Sequence, residues 1–393
     1  MRHDDVFAAE LARLRAAGLE RRLRPVDGAQ DTSIIVDGRR VLSLCSNNYL
    51  GLANHPEVID AAVAAARAAG IGSGASRLIS GSMRHLHQLE ERLAAFKRTE
   101  ACLLFTSGYH ANLGVITALV GPGDAVFSDA LNHASLIDGC RLSRAAVHVY
   151  PHGDLDALAE RLRAVAARRR LIVTDSIFSM DGDAAPLAAV CDLAEQHGAM
   201  VMVDEAHATG VVGARGAGLV DALGLHARVT VQMGTLGKAL GTFGAYVASS
   251  RPLVDLLINT ARTAIFTTAL PPPVAAAAAA ALTIVEREPE RRDALRRNAA
   301  HLRAGLLSLG FDVPGEADAH ILPIMVGDAA TTMALSTALL DRGVFAHGIR
   351  PPTVPDGTAR LRATVMATHT EADIDAALAA FASVAPTRQR AAR

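Results

Sequence analysis

Residues 200–210 read MVMVDEAHATG, and residues 229–241 read VTVQMGTLGKALG. Each segment opens with a short apolar run and closes on polar side chains and glycine. Short apolar runs bounded by turn residues are typical of buried strands in a parallel sheet. We therefore expect Asp204 and Lys238 to lie at the carboxyl ends of two successive strands, where sheets of this kind carry their chemistry.

The middle of the chain repeats this pattern of an apolar run followed by a helical stretch. Strands that alternate with helices of about 10–15 residues predict an α/β fold with a mostly parallel sheet and helices on both faces. The predicted strands cover residues 101–106, 125–128, 146–150, 171–175, 200–204, 229–233 and 245–248. The predicted helices include residues 108–119, 155–167, 187–197 and 252–260.

A second, smaller α/β pattern follows near the C-terminus. An alanine-rich helix from 273 to about 288 leads into another helical stretch at 290–309, because alanine is the best helix former. Strands at 320–326 and 360–364 then alternate with helices at 330–342 and 371–382. We expect an N-terminal helical arm and extension at 1–45, a large domain at 46–289 and a small C-terminal domain at 290–393.

Composition excludes several classes of protein. The 393 residues include 39 Lys+Arg and 40 Asp+Glu, and a net charge of −1 does not support a long basic surface for nucleic acid. The four cysteines lack the paired spacing of a disulfide framework or a zinc cluster. Residues 1–24 have no apolar signal-peptide core, and the longest apolar run, 274–285, is too short to span a bilayer. We expect a cytoplasmic protein without a metal site and without a membrane or nucleic-acid partner.

Lysine is rare in this chain. It occurs only at Lys97 and Lys238, while the other 37 basic residues are arginine. An amine can act as a nucleophile or a base, whereas a guanidinium is effectively always protonated. Lys97 follows the periodic apolar stretch 86–96 and is expected to be a solvated helix end. Lys238 lies in a glycine-rich segment, which favours a chemical role.

Two motifs open predicted helices directly after strands. Gly108 and Tyr109 follow Ser107, and small residues at a helix N-terminus expose N–H groups that suit a phosphate. An ordinary strand–helix turn explains them equally well. His133, in the segment NHASL, is either a helix cap or hydrogen-bonded core group, or part of a site.

Two further motifs follow strands in the same way. Ser179 begins the segment SMDGD, which is either an acidic turn or part of a site. Asp204 emerges from a strand that is apolar on both faces and needs a partner, because an isolated buried charge is costly. His207, three residues later, could face the same site; the sequence offers no third ligand to make the pair a metal centre.

Together these features form the set that pyridoxal phosphate needs. The aldehyde of this cofactor condenses with a lysine amine, a carboxylate keeps its ring nitrogen protonated, and a flat side chain such as histidine can cover the ring. Backbone N–H groups and hydroxyls would bind its phosphate.

The same motifs, in this order, resemble those of the α-oxoamine synthases. These are fold-type I pyridoxal-phosphate enzymes, which condense an amino acid with an acyl thioester. The resemblance extends from about Arg21 to His369 and is carried by the segments SGY (107–109), NHAS (132–135), FSMDG (178–182), DEAH (204–207) and TLGKALG (235–241). One departure is Ala208, where glycine or serine is commoner in the family, and we expect it to be benign.

The resemblance implies roles for individual residues. It implies a large cofactor domain, a smaller C-terminal domain and a homodimer with shared active sites. Catalytic roles are implied for Lys238, His133, Asp204 and His207. Contacts with the cofactor are implied for these four and for Gly108, Tyr109, Ser179, Thr235, Thr267 and Thr268, the last two reaching the neighbouring subunit.

The substrates are implied by a C-terminal segment. Residues 349–362, IRPPTVPDGTARLR, most closely resemble the members of the family that condense L-alanine with a pimeloyl thioester in biotin synthesis. Substrate contacts are implied for Arg21, Asn47, Ser76, His133, Arg350 and Thr353. Three alternatives remain open at this point: another condensation such as that of a glycine C-acetyltransferase, an aminotransferase, and a non-catalytic binding protein.

Overall fold

The structure is a computed structural model that describes residues 3–317 and 319–385. The helices, numbered along the chain, are α1 (His3–Ala16), α2 (Pro56–Ala69), α3 (Arg84–Lys97), α4 (Gly108–Leu119), α5 (Ala134–Ser143), α6 (Leu155–Ala164), α7 (Leu187–His197), α8 (Leu219–Ala222), α9 (Arg251–Thr260), α10 (Arg262–Ile265), α11 (Pro272–Arg287), α12 (Glu290–Ser308), α13 (Ala329–Asp341) and α14 (Glu371–Ala382). The strands are β1 (Val26–Asp27), β2 (Ser33–Val36), β3 (Arg39–Ser43), β4 (Ala101–Phe105), β5 (Ala125–Asp129), β6 (Ala146–Tyr150), β7 (Arg170–Asp175), β8 (Met200–Asp204), β9 (Val231–Thr235), β10 (Ala245–Ser249), β11 (Ile321–Gly327), β12 (Val344–Phe345), β13 (His347–Ile349) and β14 (Ala359–Thr364).

The chain divides into two compact units. The large unit comprises Asn47–Leu295 and Met366–Thr368. The small unit comprises the described residues within Met1–Ser46, Arg296–Val365 and His369–Arg393. The N-terminal segment thus belongs to the same unit as the C-terminal elements. The predicted domain boundaries at 45/46 and 289/290 stay predictions.

The large unit is built on a seven-stranded sheet with the order β4-β10-β9-β8-β7-β5-β6. β10 is antiparallel to both of its neighbours, and the other pairings are parallel. Successive residues of a strand point to opposite faces, so Val126 belongs to one apolar cluster and Phe127 to another. The predicted mostly parallel sheet is confirmed, and each of the seven predicted strands matches an observed strand within two residues.

The small unit contains two small sheets, with the orders β1-β2-β3-β12 and β11-β14-β13. The predicted strands and helices after residue 320 are confirmed within one residue. The sequence reading did not predict the strands β1 to β3. Asp37 and Gly38, which join β2 to β3, both have positive φ angles of 49° and 76°, as a type I′ hairpin turn requires. This Asp-Gly turn was the signal for the hairpin.

The topology decides where polar side chains meet. β5, β7, β8 and β9 run in the same direction, so their carboxyl ends lie at one edge of the large sheet. No helix within the described ranges combines the length and apolar character needed to cross a membrane.

Candidate active site

A cavity of about 160 Å³ lies at this edge of the large sheet. Seven of the residues predicted from the sequence line it, together with four that were not predicted. The predicted ones are Gly108, Tyr109, His133, Asp204, His207, Thr235 and Lys238; the others are Ser135, Asp175, Ala206 and Met233. The structure therefore brings together the proposed amine, carboxylate and imidazole groups from three separate segments.

Lys238 and His207 are in direct contact. Lys238 Nζ lies 3.1 Å from His207 Nε2, and His207 Nδ1 lies 2.7 Å from the hydroxyl of Tyr49. That hydroxyl donates to Asn47 Oδ1 at 3.0 Å. Because a hydroxyl has one hydrogen, this order makes Nδ1 the donor to Tyr49 and leaves Nε2 as the acceptor facing Lys238. Asn47, predicted to bind substrate, thus orients His207 through Tyr49.

Asp204 is buried and has a donor on each oxygen. Asn112 Nδ2 donates to Oδ2 at 2.8 Å, and the backbone N–H of Ala206 donates to Oδ1 at 2.9 Å. Both donors stabilise a carboxylate that burial alone would penalise.

His133 stands beside a second buried carboxyl group. Its backbone N–H donates to Asp175 Oδ2 at 2.8 Å, and its Nδ1 lies 2.8 Å from Ser135 Oγ. Burial raises the pKa of Asp175 well above its usual range, and the nearby charge of Asp204 raises it further. Burial lowers the pKa of His133, which therefore stays neutral near pH 7.

The start of α4, which lines the cavity, suits an anion. Ser107 caps α4 by accepting from the N–H of His110, and α4 begins at Gly108 with first-turn N–H groups that have no partner inside the helix. A side chain at Gly108 would come within 2.9 Å of Thr235 Cγ2, so glycine is required for this close approach. Thr235 Oγ1 is buried without a hydrogen-bond partner. An orphaned hydroxyl beside a helix N-terminus fits the phosphate of pyridoxal phosphate.

Several predicted residues lie outside this cavity. Ser179 follows β7 in a turn and is not among the lining residues. Thr267 and Thr268 line a separate small cavity with Arg77. The segment that contains Ser76 lies beside the segment of Thr267 and Thr268, because the N–H of Ala269 donates to the carbonyl of Ala75 at 3.0 Å.

The remaining predicted residues belong to the small unit. Arg21, Arg350 and Thr353 line a cavity of about 410 Å³ that also contains Arg22 and Arg24. Its other walls are mainly apolar and include Met333, Leu340 and Phe345. Burial lowers the pKa of His347 in this cavity, and the charges of Arg350, Arg24 and Arg21 lower it further. A cavity with this lining suits a carboxylate carried on an apolar chain.

Lys97 corrects the sequence reading, which expected a solvated helix end; that prediction is wrong. Its side chain is fully buried and is ion-paired with Glu205, itself fully buried. Nζ also donates to the carbonyl of Ala217. The periodic pattern of α3 ends at this residue, but packing of the helix end within the large unit places the amine inside.

Besides Ser135, Ala206 and Met233, three further residues of the candidate site were missed. Tyr49 and Asn112 are buried, and each holds a predicted side chain; Asp175 lines the cavity itself. Asn112 interrupts an apolar helix, and Asp175 ends a strand exactly as Asp204 does, so both carried a readable signal. The contact of Tyr49 with His207 spans 158 positions and left no local signal.

One possible metal-ligating group occurs among the described residues: His55, Glu57 and Glu288 have ligand atoms within 4.8 Å of one another. Arg287 already donates to both carboxylates. This guanidinium neutralises the two acidic groups, which therefore need no metal ion.

Comparisons with known proteins agree with this geometry. The family model for aminotransferase class I and II matches residues 39–381. A Geobacter metallireducens protein named 8-amino-7-oxononanoate synthase is 53% identical over 382 residues, covering 96% of this chain and 97% of the relative. One of the same name from Anaeromyxobacter dehalogenans is 55% identical, covering 97% and 96%. The chain belongs to the 8-amino-7-oxononanoate synthase family.

The predicted α-oxoamine synthase resemblance is thereby confirmed, and the chain is an acyltransferase of this family. A solved structure of serine palmitoyltransferase from S. paucimobilis with bound PLP-myriocin aldimine is also similar. It is 34% identical, covers 96% of each chain and has a TM-score of 0.91. The protein has the fold of the fold-type I pyridoxal-phosphate transferases.

Proposed function

We propose that the protein uses pyridoxal phosphate to condense L-alanine with a pimeloyl thioester, releasing carbon dioxide and the free thiol carrier and forming 8-amino-7-oxononanoate. The observation that carries this proposal is the cavity in which Lys238 Nζ lies 3.1 Å from His207 Nε2, with Asp204 and His133 in the same lining. The names of the relatives support the choice of substrates.

The residues fit the cofactor. Bound pyridoxal phosphate supplies an aldehyde that condenses with an amine and a ring that accepts electrons. Lys238 would hold that aldehyde and, once released, remove the alanine Cα proton. Asp204, held by its two donors, would keep the ring nitrogen protonated, and His133 would stack on the ring. His207 would donate from Nε2 to the phenolic oxygen after its ring proton has moved from Nδ1 to Nε2. Ser179 would lie close by.

The phosphate would be held at the α4 end of the cavity. The N–H groups of Gly108 and Tyr109 and the hydroxyl of Thr235 supply donors there, and the orphaned Thr235 Oγ1 supports this assignment. We infer that Thr267 and Thr268 supply further hydroxyls across the interface of a homodimer. Sedimentation of an active monomer at assay concentration would overturn that arrangement.

The substrates would be selected by other residues. Arg21, Arg350 and Thr353 line the cationic cavity of the small unit, where a bidentate guanidinium suits a substrate carboxylate. Ser76 would leave space for the methyl group of alanine.

A substrate panel tests the proposal. Alanine, glycine and serine are each combined with pimeloyl-, acetyl- and succinyl-CoA, and thiol release is measured with and without added pyridoxal phosphate. We expect the highest kcat/KM for alanine with pimeloyl-CoA. A preference for glycine with acetyl-CoA would make the protein a glycine C-acetyltransferase instead. A comparison of pimeloyl-CoA with the pimeloyl carrier protein identifies the carrier.

A further inference from the structure

Asn112 occupies an unusual position in α4. Its side chain is fully buried on a helix face that also buries Ala111, Val115 and Ile116. A polar residue in such a place is costly unless its hydrogen bonds are satisfied. Its Nδ2 group has two good acceptors, but its Oδ1 atom is buried with no partner. The fold therefore tolerates an unsatisfied carbonyl in order to keep this amide.

The orientation of the amide is determined by its neighbours. Nδ2 lies 2.8 Å from Asp204 Oδ2 and 2.8 Å from Ser135 Oγ. A flipped amide would place Oδ1 against the carboxylate, where two acceptors would face each other. Asn112 is thus a donor on both sides.

Ser135 extends the chain of hydrogen bonds to His133. Since Ser135 Oγ accepts from Asn112, its single hydrogen is available for His133 Nδ1, 2.8 Å away. The backbone N–H of Ser135 also donates to Nδ1, at 3.3 Å. Nδ1 is therefore an acceptor, and the neutral ring of His133 carries its proton on Nε2.

We propose that Asn112 is a positioning residue that couples the carboxylate of Asp204 to the ring of His133 through Ser135. It holds the carboxyl group of Asp204 aimed at the cavity through a hydrogen bond, and it fixes the Nε2–H tautomer of His133. The role assigned to Asp204 rests on the proposed function, whereas the tautomer of His133 does not. Asn112 does not line the cavity itself and so acts only through these neighbours.

The first test needs neither cofactor nor turnover. Diethyl pyrocarbonate modifies an unprotonated imidazole nitrogen, and in the native tautomer that nitrogen, Nδ1, is occupied by Ser135. In the protein freed of cofactor, Asn112→Leu and Asn112→Asp should raise the modification rate of His133 several-fold, measured by peptide mass spectrometry. Ser135→Ala should do the same. An unchanged rate in all three variants would overturn the proposal.

The second test concerns the carboxylate. Asn112→Asp keeps the side-chain volume but places a second carboxyl group against Asp204, and Asn112→Leu removes the donor. Both should weaken binding of pyridoxal phosphate, measured by equilibrium dialysis, and move the acidic limb of the kcat–pH profile upward by about one pH unit. The KM for the acyl thioester should stay the same. A merely structural role would not move that limb, and an unmoved limb in both variants would overturn the coupling.

Gln232→Leu is the matched control. Gln232 is a buried amide of β9 whose Oε1 likewise has no partner, and it does not line the cavity. This variant should change the unfolding midpoint without changing the His133 modification rate or the pH profile. If the wild-type protein released no thiol from any substrate, the proposed function would fail, while the modification rates would still decide the tautomer of His133.

Discussion

The two lysines of this chain flank the same turn and differ in their surroundings. Lys97 contacts Glu205, and Lys238 contacts His207, two residues further along. Lys97 is fully buried with a carboxylate and a carbonyl as partners, so its charge is held in place. Lys238 is half-buried, lines a cavity and faces the imidazole of His207. The rarity of lysine therefore does not by itself separate a structural amine from a reactive one; the burial and the partner of each amine distinguish the two positions.

The largest expected difference between the two lysines is in turnover. Lys238→Ala should lower thiol release by several orders of magnitude, because it removes both the cofactor attachment and the base. Lys238→Arg keeps the charge and serves as the control; it should be equally inactive, since a guanidinium does not replace the amine. Borohydride reduction and peptide mapping should place the cofactor on Lys238, and a label on Lys97 would reverse the comparison.

The second expected difference is in stability. Lys97→Met leaves Glu205 as an uncompensated buried charge, so the free energy of unfolding should fall by about 3–5 kcal/mol. The double variant Lys97→Met/Glu205→Leu should recover most of this loss, because it removes both charges. Urea unfolding monitored by circular dichroism measures both. Substitutions at exposed positions usually change the free energy of unfolding by less than about 0.5 kcal/mol. A change of that size in Lys97→Met would mean that Lys97 is not buried in solution.

The preference for alanine over glycine should depend on Ser76 rather than on either lysine. Ser76→Thr adds one methyl group where alanine is expected to bind, so the ratio of kcat/KM for alanine over glycine should fall by about 1–3 kcal/mol in free-energy terms. Competition between the two amino acids measures this ratio. Ser82→Thr, in the same segment, is the control and should leave the ratio unchanged; an equal effect of both substitutions would argue against a specific contact at Ser76.

His152 is a third positively charged side chain, and it is only partly buried. His152 lies between Asp129 and Asp183, at 3.0 and 2.8 Å, and its hydrogen bonds to Asp129 and then Asp183 raise its pKa to about 10. The folded protein thus holds a proton that the unfolded chain releases near pH 6.5. Its stabilisation is fully present below pH 6.5 and is lost as the pH rises through about 10.

We expect this loss to amount to about 1–2 kcal/mol, discounted for partial exposure. Urea unfolding at several pH values from 6 to 10 measures the slope, and His152→Gln should flatten it. A wild-type slope equal to that of His152→Gln would show that the ring is neutral at pH 7.

The sequence predicted the large sheet well because its strands carry their own signals. Each strand is a short apolar run ended by a polar residue or glycine, and α4 and α7 match their predicted bounds at both ends. The strands β1 to β3 were missed because each of them is at most five residues long. Their Asp-Gly turn was nevertheless a usable hairpin signal.

The site residues that lie at the ends of strands could be predicted from the sequence. Asp204, His207 and Lys238 follow apolar runs and converge because parallel strands end at one edge. Burial of Lys97 was not predictable, because a helix end reads as solvated until its packing is known. Asn112 and Tyr49 act through partners 92 and 158 positions away. Such contacts depend on tertiary structure and leave only a polar residue in an apolar stretch as a clue.

The turn between β8 and His207 is unusually well enclosed. Every residue from Val201 to Gly210 is buried, and Glu205 N–H donates to the carbonyl of Met233 at 2.7 Å. Amides in such a place exchange with solvent deuterium only when the central sheet opens as a whole. Heating should therefore not loosen this turn before the large unit melts, and the protein should keep its chemistry up to the temperature at which that sheet unfolds.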